Sequence, residues 1–222
     1  MNNPIKILSK HDRILWICSL LIVFISNISV PNFDPLTLAA ALIGVTSLVF
    51  AAKGNVWAQI LMIVFSILYG IISFRFRYWG EMITYLAMTM PMAVWSTITW
   101  LKNPSKENKN EVQIQKLTST HIIGLIFFGI IITAVFYFIL LRLNTPNLLF
   151  STISITTSFV AVSLTMLRSS YYAANDIVLI VLWSLASVQN PVYISVTINF
   201  VIFFLNDVYG FINWKKRELK QS

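Results

Sequence analysis

Eight times in 222 residues the chain runs for about twenty positions on mostly apolar side chains with few charges among them, at 14–30, 36–52, 56–74, 80–101, 119–141, 147–167, 170–189 and 192–214. About 20 apolar residues in a helix cross the hydrocarbon of a bilayer. Lipid offers the backbone no hydrogen-bond partner, so such runs fold as helices or not at all. The run at 170–189 is the weakest, continuous only from 177 to 182 before it passes Trp183. Composition points the same way. The chain is 57% hydrophobic and 11% charged with a mean hydropathy of +0.77, where soluble chains carry about 25% charge. The expected fold is therefore an all-α integral membrane protein of about eight transmembrane helices, forming a single transmembrane domain over 1–222.

The net charge of +8 is not the footprint of nucleic-acid binding, because the basic residues lie between apolar runs. With eight spans both ends share one side, and that side carries thirteen of the sixteen basic residues; Arg75, Arg77 and Arg142 are on the other. The positive-inside rule then puts both termini in the cytoplasm. The first run has the basic start of a signal peptide but no small-x-small cleavage site after it, and reads as a retained span. The polar stretch 102–118 reads as a cytoplasmic linker, partly disordered, and 215–222 as a basic tail.

A shift of 114 residues lays the runs of 36–101 over those of 147–214 without a gap. It pairs Tyr69 with Trp183, Ser73 with Ser187, and Trp100-Leu-Lys with Trp214-Lys-Lys. The run 119–141 is left between the two triplets as a linker helix, and 1–35 supplies a tail and an extra span. An odd number of connecting helices gives both triplets one orientation, the parallel repeat of some transporters, whose substrate site lies near midplane between the halves.

Polar side chains at bilayer depth face the interior of a bundle or a water-filled cavity. Asn199, Asn206 and Asn213 stand seven residues apart in the last run and share a helix face. Their amides donate and accept, which suits hydroxyls or a carboxamide on a neutral ligand. Gln59, Ser66 and Ser73 repeat the spacing in the third run beside Tyr69. Trp183 and Ser187 are one turn apart in the seventh. Tyr85, Thr89 and Trp95 flank Pro91, where a bend and a freed carbonyl shape a cavity or hinge. The expected substrate-binding set is Trp183, Asn206, Asn199, Ser187, Tyr69, Gln59, Tyr85 and Trp95. Small polar residues such as Ser66 and Ser73 also serve plain helix packing. Trp79, Trp100 and Trp214 sit at span ends, where tryptophan anchors helices at the membrane interface. Asp176 and Asp207 are the acids well inside span limits and suit a proton relay, although Asp176 also suits a helix cap. His11 and His121 lie beside polar tails and Cys18 is the one cysteine, so no metal centre, cofactor site or disulfide is expected. No nucleophile–base pair, phosphate loop or carboxylate pair appears at a common depth, so no enzyme is expected.

Tyr78-Trp79-Gly80-Glu81-Met82-Ile83-Thr84-Tyr85-Leu86, running through Met90-Pro91-Met92 to Trp95 and Trp100-Leu101-Lys102-Asn103, resembles the fourth-span signature of the PnuC family of bacterial nicotinamide riboside transporters. Leu68-Tyr69-Gly70-Ile71-Ile72-Ser73 is similar to that family's preceding span. Leu205-Asn206, Gly210 and Asn213-Trp214-Lys215-Lys216 are similar to its closing motif. The resemblance spans roughly 36–216. It implies a three-plus-one-plus-three arrangement like that of SWEET transporters, a homotrimer, and facilitated diffusion of a vitamin or nucleoside that a separate cytoplasmic kinase traps by phosphorylation. It also implies that Asn206 and Trp183 stand where the family binds the aromatic base. This chain departs at Leu179 or Ile180, where relatives carry a second tryptophan, at Ser187 for an Asn or Asp, and near Ser163 for a glutamine. Thiamine and riboflavin therefore stay open as substrates, as does the role of a membrane-embedded binding subunit within a larger transporter.

Overall fold

The start of each helix is written in its capping chemistry. Ser9 opens α1 (Lys10–Ile28) with a reciprocal box to Asp12, and Asp34 accepts from two amides at the start of α2 (Pro35–Ala52), with proline in the first turn. α3 (Trp57–Arg75) follows a tight turn at Gly54, and Thr118 caps α6 (Ser119–Arg142). α7 (Leu148–Met166), α8 (Ala174–Gln189) and α9 (Ile194–Gln221) complete the chain. The computed structural model describes residues 4–30, 33–106, 108–145, 147–169 and 174–221, excepting the side chains of 4, 174, 175 and 192. Among these, regular structure is helical apart from one isolated bridge between Pro104 and Val112.

The fourth apolar run is helical but not uniform. It folds as α4 (Trp79–Ile83), a π-helical stretch Thr84–Thr89, and α5 (Met90–Lys102). Pro91 has no amide to donate, and its ring excludes the carbonyl four residues back. The stretch before it widens, with the Met90 amide reaching Tyr85 O five residues away. Thr84, Tyr85, Met88 and Thr89 are all buried as a result.

Six helices (α1, α2, α3, α6, α7 and α9) are long and apolar enough to cross a membrane, so this is a multi-pass membrane protein. α8 is apolar but has 16 residues, which reach about 24 Å. The helices pack in a ring. α2 lies on α3, α3 on α5, α5 on α7, α7 on α8, α8 on α9, and α9 returns to α2. α1 stands outside the ring against α2 and α9, and α6 outside it against α7. Within α6, Gly129 and Leu140 are the buried residues, so most of its apolar surface is exposed on the outside of the ring.

Two expectations change at the end of the bundle where Lys53 and Lys102 lie. The stretch 102–118 is laced to the helices: Val112 N donates to Gly54 O, Gln115 N to Arg168 O, and Ile114 N to the side chain of Gln221. Residues 215–221, expected as a tail, continue α9 and carry Arg217 to Glu111. That cover also explains Trp100 and Trp214. Expected at the membrane interface, they are 3% and 2% exposed, with ring centroids 5.7 Å apart. Their indole N–H groups donate to Thr165 O and Ala51 O, and Leu8 and Val112 close over them. Trp79 stays half-buried on Phe74.

Candidate functional site

α3, the π stretch, α8 and α9 send aromatic side chains into the ring's interior. Tyr69 stacks on Phe65 with centroids 5.4 Å apart and meets Tyr85 edge-on at 4.5 Å. Trp183 is fully buried, 6.4 Å from Tyr69, 4.6 Å from Tyr78 and 5.6 Å from Tyr193. Phe200 and Phe203 close the cluster from α9. Edge-to-face and offset contacts at these separations suit aromatic quadrupoles and hold the rings firmly. Tyr78, in the turn before α4, has its phenol pushed up to about 12 by burial and then by Tyr193 and Glu81, so it remains a hydroxyl at neutral pH.

The polar atoms inside this cluster are the informative ones. Ser66 Oγ, Tyr69 Oη, Ser73 Oγ, Glu81 Oε2, Thr84 Oγ1 and Trp183 Nε1 are all buried with no hydrogen-bond partner among the described residues. Tyr69 Oη lies near the Trp183 ring N–H. Glu81 is wholly buried, and its other oxygen accepts from Ser154 Oγ at 2.8 Å. Native interiors leave few polar groups unsatisfied, each at a cost of about 1–3 kcal/mol. Six on adjoining helices around one aromatic core can donate to and accept from a guest with a flat ring and hydroxyl or amide groups.

The eight residues expected from the sequence divide five ways. Tyr69, Tyr85 and Trp183 meet in the cluster. Gln59 is buried a few turns along α3, where it lines a smaller cavity with Ser47, Thr89 and Ser96. Asn199 and Asn206 turn toward α1: Asn27 Nδ2 donates to Asn199 Oδ1 at 2.9 Å, and Asn206 Nδ2 donates to Ser19 Oγ at 3.0 Å. Ser187 Oγ donates to Trp183 O at 2.7 Å and pairs with Thr197, joining α8 to α9. Trp95 does not join them; it is 58% exposed on the outer face of α5. Glu81, Thr84 and Tyr78 belong to the cluster and were not among the expected site residues. An acid in the first turn of an apolar run was the available signal for Glu81.

A cavity of about 110 Å³ adjoins the cluster and shares Phe65, Tyr85 and Phe200 with it. Asp176 and Asp207, 7% and 8% exposed, stand in its wall.

Residues 34–216 match the family model described as nicotinamide mononucleotide transporter. The chain is 25% identical over 224 aligned positions to the nicotinamide riboside transporter PnuC of Neisseria mucosa, covering 96% of this chain and 84% of that one. It also superposes on the crystal structure of the vitamin B3 transporter PnuC with a TM-score of 0.84 at 24% identity, over 97% of this chain and 94% of that one. A match over so much of the chain, carried by a helical ring of the same fold, means that this protein belongs to the nicotinamide mononucleotide (PnuC) family of membrane transporters.

Proposed function

We propose that this protein takes up nicotinamide riboside by facilitated diffusion, and that a cytoplasmic kinase traps the substrate by phosphorylating it. The observation that carries this reading is the set of unpartnered polar atoms around Tyr69, Tyr85 and Trp183. A nicotinamide ring has a face for the aromatic side chains, a carboxamide that both donates and accepts, and a ribose with hydroxyls for Glu81 and the serines of α3. Desolvated groups that lack partners in the free protein gain them when the substrate binds, which favours a tight fit without any chemistry. The names of the two PnuC relatives support the same substrate class.

In this reading the fourth run and α8 also cross the bilayer, giving eight spans. α2, α3 and α4–α5 form one half; α7, α8 and α9 form the other, in a SWEET-type parallel repeat. The ring supports it, because each half's middle helix touches both its neighbours while the outer helices close against the other half. Rocking of the halves around the cluster gives alternating access. Both termini lie in the cytoplasm of a bacterial inner membrane, and three copies assemble.

A second substrate reading has its own support. Leu179 is fully buried beside Trp183, and Ser187 is bonded to its own helix and to Thr197, so the wall around the ring differs from the one the resemblance implies. Thiamine or riboflavin on the same scaffold is the alternative, as is a binding subunit energised by a partner. Titration of the purified protein with nicotinamide riboside, thiamine and riboflavin, followed by uptake into liposomes containing this chain alone, tests all of these. Saturable binding of nicotinamide riboside with uptake along its gradient is expected. Preference for another vitamin would replace the substrate, and binding without uptake would favour the subunit reading.

A further inference from the structure

The cavity beside the aromatic cluster has a chemistry of its own. Phe65, Tyr85, Phe200 and Phe203 form much of its wall, and Asp176 and Asp207 stand in it as its charged residues, with no basic residue among those that line it. The two carboxyls interact with one another across α8 and α9. Either of them, when ionised, puts negative charge on the cavity wall. Asp176 Oδ2 is buried and has no hydrogen-bond partner among the described residues. A charge held this way inside a bundle is costly unless something of opposite sign completes it. The space of about 110 Å³ is smaller than the ~150 Å³ that admits a benzene ring, so a ring from the adjoining cluster enters it in part. Aromatic faces together with a negative charge, in a space of that size, match a flat organic cation: the rings attract it through their quadrupoles and the carboxylate through its charge.

We infer that the chamber walled by Phe65, Tyr85, Phe200 and Phe203 and charged by the Asp176–Asp207 pair is a cation-recognition subsite, selecting substrates whose aromatic ring carries a fixed positive charge over neutral rings of the same shape. This rests on the proposed uptake of a vitamin through the adjoining cluster and narrows its substrate class. N-ribosylated pyridinium and N-alkylated thiazolium rings qualify; a neutral isoalloxazine or dihydropyridine does not.

The test compares nicotinamide riboside with its reduced form, which keeps the ribose and carboxamide but has a neutral ring, and thiamine with riboflavin. Full-length wild-type protein and the Asp176→Asn/Asp207→Asn double variant are titrated with all four, since a single Asn replaces a protonated acid and leaves the other carboxylate in place. The expected result is that wild type prefers the charged member of its pair by about tenfold or more, and that the double variant loses most of that preference. Binding of the neutral member should change by less than about twofold, which also reports that the variant is folded. Equal loss for charged and neutral partners would make the pair a structural feature and overturn the inference, as would an unchanged preference. Sodium-dependent binding abolished by the same substitutions would put an inorganic ion on the pair and overturn it too. If thiamine binds with acid-dependent preference and nicotinamide riboside does not, the cation subsite stands and the nicotinamide substrate falls. If none of the four binds, both fall.

Discussion

At the scale of single residues the unsatisfied groups are the ones that make sharp predictions, because removing one has opposite effects on the empty and the loaded protein. Tyr69→Phe deletes a buried hydroxyl that has no partner. It should leave the thermal stability of the free protein unchanged or raise it by up to about 1–3 kcal/mol, while substrate affinity falls by about three- to tenfold. Unfolding curves with and without ligand read both; a loss of stability in the free protein would mean that the hydroxyl already has an internal role. Asn206 behaves differently, since its amide is bonded to Ser19 on α1. Asn206→Ala should destabilise the protein by about 1–3 kcal/mol. A double-mutant cycle with Ser19→Ala should show coupling of at least about 0.5 kcal/mol. If the cycle shows none and binding collapses alone, Asn206 contacts substrate. Trp95, exposed on α5, should tolerate Trp95→Ala with affinity intact. The sequence made Tyr69, Tyr85 and Trp183 visible because bulky aromatics inside apolar runs stand out. It could not show that Asn199 and Asn206 bond to α1, because a seven-residue spacing says that side chains share a face and nothing about which neighbour that face meets.

At the scale of elements the fourth run is the instructive one. Its apolar length was plain, and Pro91 marked an irregularity, yet only the structure shows the disturbance as a π stretch ending at Thr89 that buries Thr84 and Tyr85. The proline says that an α-helical bond is missing; packing against α3 and α7 decides which carbonyls the chain uses instead. Deleting Ala87 should restore a regular helix and turn the residues before it by about 100° relative to α5. Helix content by circular dichroism should persist while vitamin binding is lost. At the other end of the bundle Gly54 has a φ of 61°, and a Cβ there would come within 2.3 Å of the Arg217 guanidinium. Gly54→Ala should lower stability by about 1–2 kcal/mol, measured in detergent. The bonding of the described residues in 102–118 was illegible for a related reason. That stretch has the composition of a solvated linker, and its backbone hydrogen bonds run to Gly54 and Arg168, residues distant in the chain.

For the molecule as a whole, the distribution of charge is the most testable quantity. Thirteen of sixteen basic residues fall on one side of the eight-span reading. In a Cys18→Ser background, Lys220→Cys should react with a membrane-impermeant thiol reagent only after cells are permeabilised, and Asn144→Cys should react in intact cells. The reverse pattern would invert the topology. Crossing a membrane, the number and length of the apolar runs and their charge bias were all set by the sequence, because each depends on transfer of side chains between water and lipid, a local property of the chain. Ring closure through α2 with α9 and α5 with α7, the bonding of the α9 asparagines to α1, the burial of Trp100 and Trp214, and the meeting of Glu81, Tyr69 and Trp183 were decided only in three dimensions. Inside lipid every helix already has its backbone bonds and an apolar surface. Which faces meet is then a matter of shape and of finding partners for the few polar groups, and those partners lie far apart along the chain.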